Sequence, residues 1–243
     1  MSWIGISLLG LLLYRAFRGR FASEYPYFYF YLAFVLSQSV VRFAASRVSA
    51  NLYEDVYCST EFLSAIVGCL VIWEIYSRTL SPYPGVSRFA RTMILVAIAA
   101  ILAKLILSHA ENPMAIFVQS TTELDRSLRS IQAIFLAFLV ALLYHYSIPL
   151  GKNMLGIISG YTFFVAVSVI SLAVRFLLGR ELQLQPISYD LTMVIWCITL
   201  WQYQPNPQPA PEKRLETDYL AISSATARAF SQARNYLLRS VRP

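Results

Sequence analysis

The sequence predicts an all-α bundle of seven transmembrane helices, with the N-terminus outside and the C-terminus in the cytoplasm. Apolar residues make up 57% of the 243 residues and charged residues only 14%, whereas a soluble domain has about 25% charged residues. Apolar runs long enough to cross a bilayer alternate with short gaps that contain Pro and Gly. The basic residues collect in every second gap, as they do in cytoplasmic loops of membrane proteins.

A crossing helix needs about 20 mainly apolar residues, and seven segments approach or exceed that length. The first has the shortest apolar core. Because it lacks a basic leader and a small-residue cleavage site, we interpret it as a span and not as a cleavable signal. The predicted spans are 3–17, 26–46, 52–77, 92–109, 118–146, 154–178 and 187–203.

The orientation follows from the basic residues. The gaps on one side and the tail contain Arg15, Arg18, Arg20, Arg78, Arg88, Arg91, Lys152, Lys213 and Arg214. The gaps on the other side contain Arg47 and Arg180, with Arg42 near the border. The positive-inside rule places the richer side in the cytoplasm and the N-terminus outside.

Two pairs of small residues four apart allow helix backbones to approach closely. Gly156 and Gly160 form one pair, and Ser64 and Gly68 form the other. They indicate packing within the bundle or, alternatively, a homo-oligomer.

The chain divides into a transmembrane domain at 1–203, a Pro-rich linker at 204–214 and a tail at 215–243. Four alternating prolines make the linker stiff and extended. Apolar residues three and four apart predict an amphipathic helix in the tail, with arginines mostly off the apolar face. Such a helix lies on the inner leaflet, where basic residues meet anionic lipid, or docks a cytoplasmic or membrane protein. Disorder is the third alternative.

Polar residues concentrate in the outer halves of five predicted spans. Glu54 and Glu61 are seven apart and share a helical face, as do Asp125, Arg129 and Gln132. Ionisable groups at membrane depth usually face the bundle interior and pair with one another, so we expect Glu61 and Arg129 to point into one interior space. Either an outward-facing ligand cup or salt bridges above the lipid would explain them. The candidate ligand-binding residues are Gln38, Arg42, Glu54, Glu61, Asp125, Arg126, Arg129, Gln132, Arg175 and Asp190.

Several chemistries are disfavoured. His109 and His145 fall at opposite ends of neighbouring spans, and the three cysteines form no metal-binding spacing. The sequence contains no GxSxG, HExxH or phosphate-binding loop motif, so we expect neither a cofactor nor a metal. The net charge of +7 reflects cytoplasmic loops, and we therefore expect no nucleic-acid partner.

Several diffuse motifs lie along the membrane region. They are the Tyr-rich run 25–31; Tyr53, Tyr57 and Glu61; 73–76 before Pro82-Tyr83-Pro84-Gly85; and 124–129 with Gln132. In these residues the chain resembles a loose group of uncharacterised bacterial seven-helix membrane proteins. The resemblance covers most of the membrane region but not the tail, and it implies a multi-pass protein of the inner membrane without implying any activity.

For function, the sequence predicts a non-enzymatic, receptor-like or sensory membrane protein, in contact with the lipid bilayer. Its outer polar cup would bind a small ligand or a lipid headgroup. A transporter or channel is the alternative, although no inverted repeat is visible. A membrane enzyme acting on lipid and a structural subunit of a larger assembly also stay open.

Overall fold

The computed structural model of the chain describes residues 3–19, 21–111, 117–178, 184–207 and 213–240. Within these ranges the structure is helical, with no strand. The described helices are α1 (Trp3–Arg18), α2 (Phe21–Glu24), α3 (Pro26–Ser46), α4 (Ala50–Thr79), α5 (Pro84–Glu111), α6 (Phe117–His145), α7 (Lys152–Leu178), α8 (Leu184–Thr199) and α9 (Lys213–Ser240).

Five helices, α3 to α7, contain a stretch long and apolar enough to cross a membrane. The all-helical fold class and the membrane-compatible helices agree with the sequence prediction. Large apolar side chains such as Phe17, Phe43, Ile106 and Leu177 are exposed on the outside of the bundle, as a lipid-facing surface requires. Helices α1 and α8 have 16 residues each and are therefore only about 24 Å long.

Six helices form a closed ring in the order α1, α3, α4, α6, α7 and α8. Helix α5 lies outside the ring against α4 and α6, and α9 contacts α5. The core of the ring is apolar and aromatic, with Leu9, Leu32, Val71 and Trp196 almost completely buried. The interior of this ring contains the candidate site.

Small residues allow the ring helices to approach closely, which supports the interpretation of packing within the bundle. A Cβ atom on Gly156 would collide with Thr199, and one on Gly160 would collide with the Trp196 indole. A Cβ atom on Gly68 would collide with the Tyr161 hydroxyl. The homo-oligomer stays a prediction.

Helix α5 begins eight residues earlier than position 92, the predicted start. Pro84 is its first residue, where a fixed φ suits a helix and the missing N–H costs no intrahelical bond. The Gly85 N–H donates to Glu216 Oε1 at 3.0 Å, which caps the helix from the tail. The first two turns contain Ser87, Arg88 and Arg91, so hydropathy alone missed them.

Helix α8 also differs from its prediction of 187–203. It begins at Leu184 and includes Pro186 in its first turn, where proline is tolerated. It ends at Thr199 because the Asn153 amide donates to the carbonyls of Thr199 at 2.8 Å and Gln202 at 2.9 Å. The chain then leaves the helix axis, and Gln204 N–H donates to Asn153 Oδ1 at 2.5 Å.

Among the side chains that the structure describes, the tail helix α9 docks on the bundle through its first two turns. Leu215 is buried, Tyr146 donates to Asp218 Oδ2 at 3.0 Å, and the rings of Phe89 and Tyr219 lie 6.3 Å apart. Residues 220–229 are exposed. Whether they contact lipid or a protein partner stays a prediction.

Candidate functional site

Four charged side chains from α3, α4 and α6 meet inside the ring. Arg129 donates from Nε to Asp125 Oδ2 at 3.0 Å and to Oδ1 at 3.1 Å, and its Nη2 pairs with Glu61 Oε1. Arg42 donates from Nη2 to the other oxygen, Glu61 Oε2, at 2.9 Å. The predicted convergence of Glu61 and Arg129 on one interior space is confirmed. We call these four residues the outer ionic cluster, after the side of the membrane that the sequence predicts for them.

Helix geometry explains how the sequence builds this cluster. Asp125 and Arg129 are one turn apart on α6, so both face α4. Arg42 crosses from α3 to α4, where its Nε donates to Thr60 Oγ1 at 2.7 Å and its guanidinium lies 4.4 Å from the Tyr57 ring centre. Two cations and two anions balance, so the cluster presents no net charge.

A cavity of about 170 Å³ lies beside the outer ionic cluster, between α3, α4, α7 and α8. Its wall combines aromatic rings with hydroxyl and amide groups, which is the composition of many small-molecule sites. The lining residues are Tyr31, Val35, Gln38, Arg42, Tyr57, Glu61, Ser64, Phe164, Gln185, Pro186 and Tyr189.

Two polar groups in this wall have no hydrogen-bond partner among the described residues. They are the amide oxygen of Gln38, whose residue is 5% exposed, and the hydroxyl of Tyr189, whose residue is 8% exposed. A buried polar group without a partner costs about 1–3 kcal/mol. Both residues belong to the wall of one cavity, so we take this cavity as the candidate ligand site.

Towards the start of α3, aromatic rings close the cavity. The rings of Tyr31 and Tyr161 meet edge to face at 5.7 Å, and those of Phe28 and Trp196 do so at 4.9 Å. Both Tyr161 and Trp196 are almost completely buried. Within the described residues, the polar lining does not continue past this layer.

Of the ten predicted site residues, Gln38, Arg42 and Glu61 line the cavity, and Asp125 and Arg129 lie in the outer ionic cluster. Among the remaining residues whose side chains the structure describes, the following do not line the cavity: Glu54, Arg126, Gln132 and Asp190. Gln132 is buried but donates to the Ala65 carbonyl at 2.6 Å, so it links α6 to α4.

Glu54 and Arg126 are exposed and do not line the cavity. Glu54 shares a helical face with Glu61 but lies about 10 Å closer to the helix start, at the level of the turn between α3 and α4. Asp190 is half-buried and lies against Gly5 of α1, and it is not among the residues that line the cavity. The Arg175 side chain lies outside the described residues.

Sequence reasoning missed the uncharged cavity residues, above all Tyr31, Tyr189 and Gln185. It ranked candidates by charge, which is conspicuous in an apolar segment. A usable signal exists in α3, since Tyr31, Gln38 and Arg42 recur at spacings of seven and four and thus share one face.

A second ionic cluster near the start of α3 serves the fold. Glu74 is buried and accepts from Phe28 N–H at 2.8 Å, so a carboxylate from α4 caps the start of α3. Arg78 donates to Glu74 Oε1 at 3.5 Å and to Glu24 Oε1 at 2.9 Å. Burial, and then the Glu24 carboxylate, raise the pKa of Tyr25 to about 12, so its hydroxyl stays protonated beside this cluster.

Comparison with known proteins adds no assignment. No protein-family model matches the chain. No curated protein and no solved structure gives a significant match.

Proposed function

We propose that this chain is a seven-span membrane protein of the inner membrane whose outer cavity binds a small uncharged ligand, in a receptor-like or sensory role. The observation that carries the proposal is the pair of unpartnered groups, Gln38 Oε1 and the Tyr189 hydroxyl, in the wall of one cavity. The neighbouring charged side chains already pair with one another. The groups of the wall that are left to bond a ligand are therefore these two neutral ones.

The proposed topology has the N-terminus outside and α9 in the cytoplasm. Helices α1 and α8 are short for a bilayer core of about 30 Å, but they pack on each other and complete the ring. Arginines at the end of α1 extend its reach by snorkelling. The Arg15 guanidinium lies 4.7 Å from the centre of the Trp201 ring. The Arg18 guanidinium lies 5.0 Å from the centre of the Tyr14 ring.

The ligand chemistry follows from the wall. Gln38 Oε1 accepts only, so the ligand supplies a hydroxyl or N–H donor. The Tyr189 hydroxyl donates or accepts, and the rings of Tyr31, Tyr57 and Phe164 offer apolar faces. A compact neutral group with two or more hydroxyls or amides meets these demands.

The closed inner side favours binding over transport. A transporter needs a polar route that reaches the other side in an alternate state. Below the cavity, the layer of Tyr31, Tyr161, Phe28 and Trp196 offers no such route among the described side chains.

A ligand panel on the full chain in phosphatidylcholine nanodiscs tests the proposal. We expect a neutral polyol, sugar or monoacylglycerol to raise the melting temperature, whereas matched amines and carboxylates do not. The rise should disappear in Gln38→Leu and in Tyr189→Phe, and persist in Tyr146→Phe, which removes a hydroxyl far from the cavity. If no neutral compound shifts the wild type, or if the shift survives both cavity variants, the proposal is wrong.

A further inference from the structure

A second concave surface lies beside the candidate site. It is an open groove of about 690 Å³ on the lipid-facing side of the outer half, between α1, α3 and α4. Its wall is mainly apolar and includes Leu36, Val40, Phe43 and Tyr53, of which Val40 is 62% exposed. In a bilayer, such a surface contacts acyl chains.

One layer of side chains separates this groove from the polar cavity. Arg42 and Tyr57 line both, and the Arg42 guanidinium stacks on the Tyr57 ring at 4.4 Å. The Arg42 side chain is 13% exposed. A molecule with one end in the cavity and the other in the groove therefore needs to pass only this Arg42–Tyr57 wall.

We infer that the ligand is a neutral amphiphile, with a hydroxyl-bearing headgroup in the cavity and its acyl chain in the groove. This inference rests on the proposed function and names its ligand class. A free polar molecule would leave the adjoining apolar groove unexplained, whereas an amphiphile uses both surfaces.

The pairing of charges beside the cavity favours a headgroup without charge. Arg129 is held by Asp125 and Glu61, and Arg42 is held by Glu61. An anionic headgroup would compete with these carboxylates for the arginines, and a cationic one would compete for Glu61. A hydroxylated neutral headgroup needs neither exchange, because it bonds to Gln38 and Tyr189.

The hydrophobic effect contributes little to binding of the chain, since lipid tails are as apolar as the groove. The groove acts instead by shape, and it places the first carbons of the chain beside α3. The position of the chain is therefore the quantity to measure.

The test uses a monoacylglycerol with a diazirine on its acyl chain near the ester, added to the full protein in phosphatidylcholine nanodiscs. We expect cross-links concentrated on α3 and α4 at the groove, competed by unlabelled monoacylglycerol. Lysophosphatidylcholine and the free fatty acid of equal chain length should not compete. Glycerol matches the headgroup without the chain and should not displace the label.

Two kinds of variant test binding of the headgroup and binding of the acyl chain separately. Gln38→Leu and Tyr189→Phe should each lower the competed labelling about three- to tenfold, the value of one hydrogen bond. Both remove an unpartnered buried group, so neither should lower the melting temperature. Val40→Trp fills the groove and should abolish labelling there, whereas Val41→Trp, at a neighbouring exposed position outside the groove, should not.

Four outcomes overturn the inference. Labels spread evenly over all lipid-facing helices would show that the groove holds no particular chain. Competition by lysophosphatidylcholine equal to that by monoacylglycerol would show that the headgroup is not read. Displacement by glycerol at the lipid's own potency, with the Gln38 and Tyr189 effects retained, would leave the proposed function standing with a free polar ligand. If no neutral compound binds, both fail together.

Discussion

The outer ionic cluster gives a quantitative prediction at Arg129. This residue is 3% exposed and its guanidinium holds two carboxylates. The change Arg129→Met keeps the apolar stem but removes the charge. Asp125 then has no cation within bonding distance among the described side chains, and Glu61 keeps only Arg42. Leaving a desolvated charge unpaired costs about 3–5 kcal/mol, so we expect a loss of that size in unfolding free energy.

The choice of second mutation distinguishes this mechanism from a loss of packing. Asp125→Asn together with Arg129→Met removes one charge of each sign and leaves the Arg42–Glu61 pair at 2.9 Å intact. We expect the double variant to be more stable than Arg129→Met alone, with a coupling of about 0.5–3 kcal/mol. Pairing Arg129→Met with Glu61→Ala should recover less, because Arg42 and Asp125 would both lose their partner.

The assay is reversible unfolding in mixed micelles, followed by tryptophan fluorescence, on all single and double variants. Arg126→Met is the matched control, since Arg126 is an exposed arginine on the same helix and such changes usually fall within about 0.5 kcal/mol. Additive losses from Asp125→Asn and Arg129→Met, or an equal loss from Arg126→Met, would refute the reasoning.

Three further predictions concern topology, the tail and packing. In a variant without native cysteines, Asn51→Cys should react with an impermeant thiol reagent on intact cells, and Ser81→Cys only after lysis; the reverse result would invert the bundle. Gly85→Val should displace α9, because even a Cβ there would lie 2.5 Å from a Glu216 oxygen, and limited proteolysis should then remove the tail faster; an unchanged rate would contradict the docking. Gly160→Leu should lower the melting temperature without changing the oligomeric state seen by native mass spectrometry, whereas a change in that state alone would favour an oligomer interface.

The sequence predicted the helices well where length and apolarity coincide, as in α3, α4, α6 and α7. It located the first and last turns poorly wherever polar side chains set the boundary. The early start of α5 depends on Glu216, which is 131 residues away from Gly85. The end of α8 depends on Asn153 of α7. The mean hydropathy of a local window carries no information about either of these long-range contacts.

The site was predicted only in part, because part of it depends on contacts between helices that a local pattern does not contain. Helical periodicity placed Asp125 and Arg129 on one face, and the high cost of unpaired charge in a membrane made their convergence with Glu61 foreseeable. Periodicity gives a direction but not a depth, so it grouped Glu54 with Glu61, although Glu54 is exposed and does not line the cavity. The placement of Tyr189 depends on how α8 packs on α7, which no spacing within α8 reveals.

The two ionic clusters stabilise the fold, whereas a ranking of candidate residues by charge would assign them to ligand binding. Glu74 accepts hydrogen bonds from the start of α3 and from Arg78. The charges of the outer ionic cluster pair with one another across α3, α4 and α6. Charges in both places join helices that the hydrophobic effect cannot hold together within lipid. Two groups in residues of the cavity wall lack partners among the described residues, Gln38 Oε1 and the Tyr189 hydroxyl, and both are uncharged. Charge removal should therefore act first on stability, and removal of these two groups first on ligand selectivity.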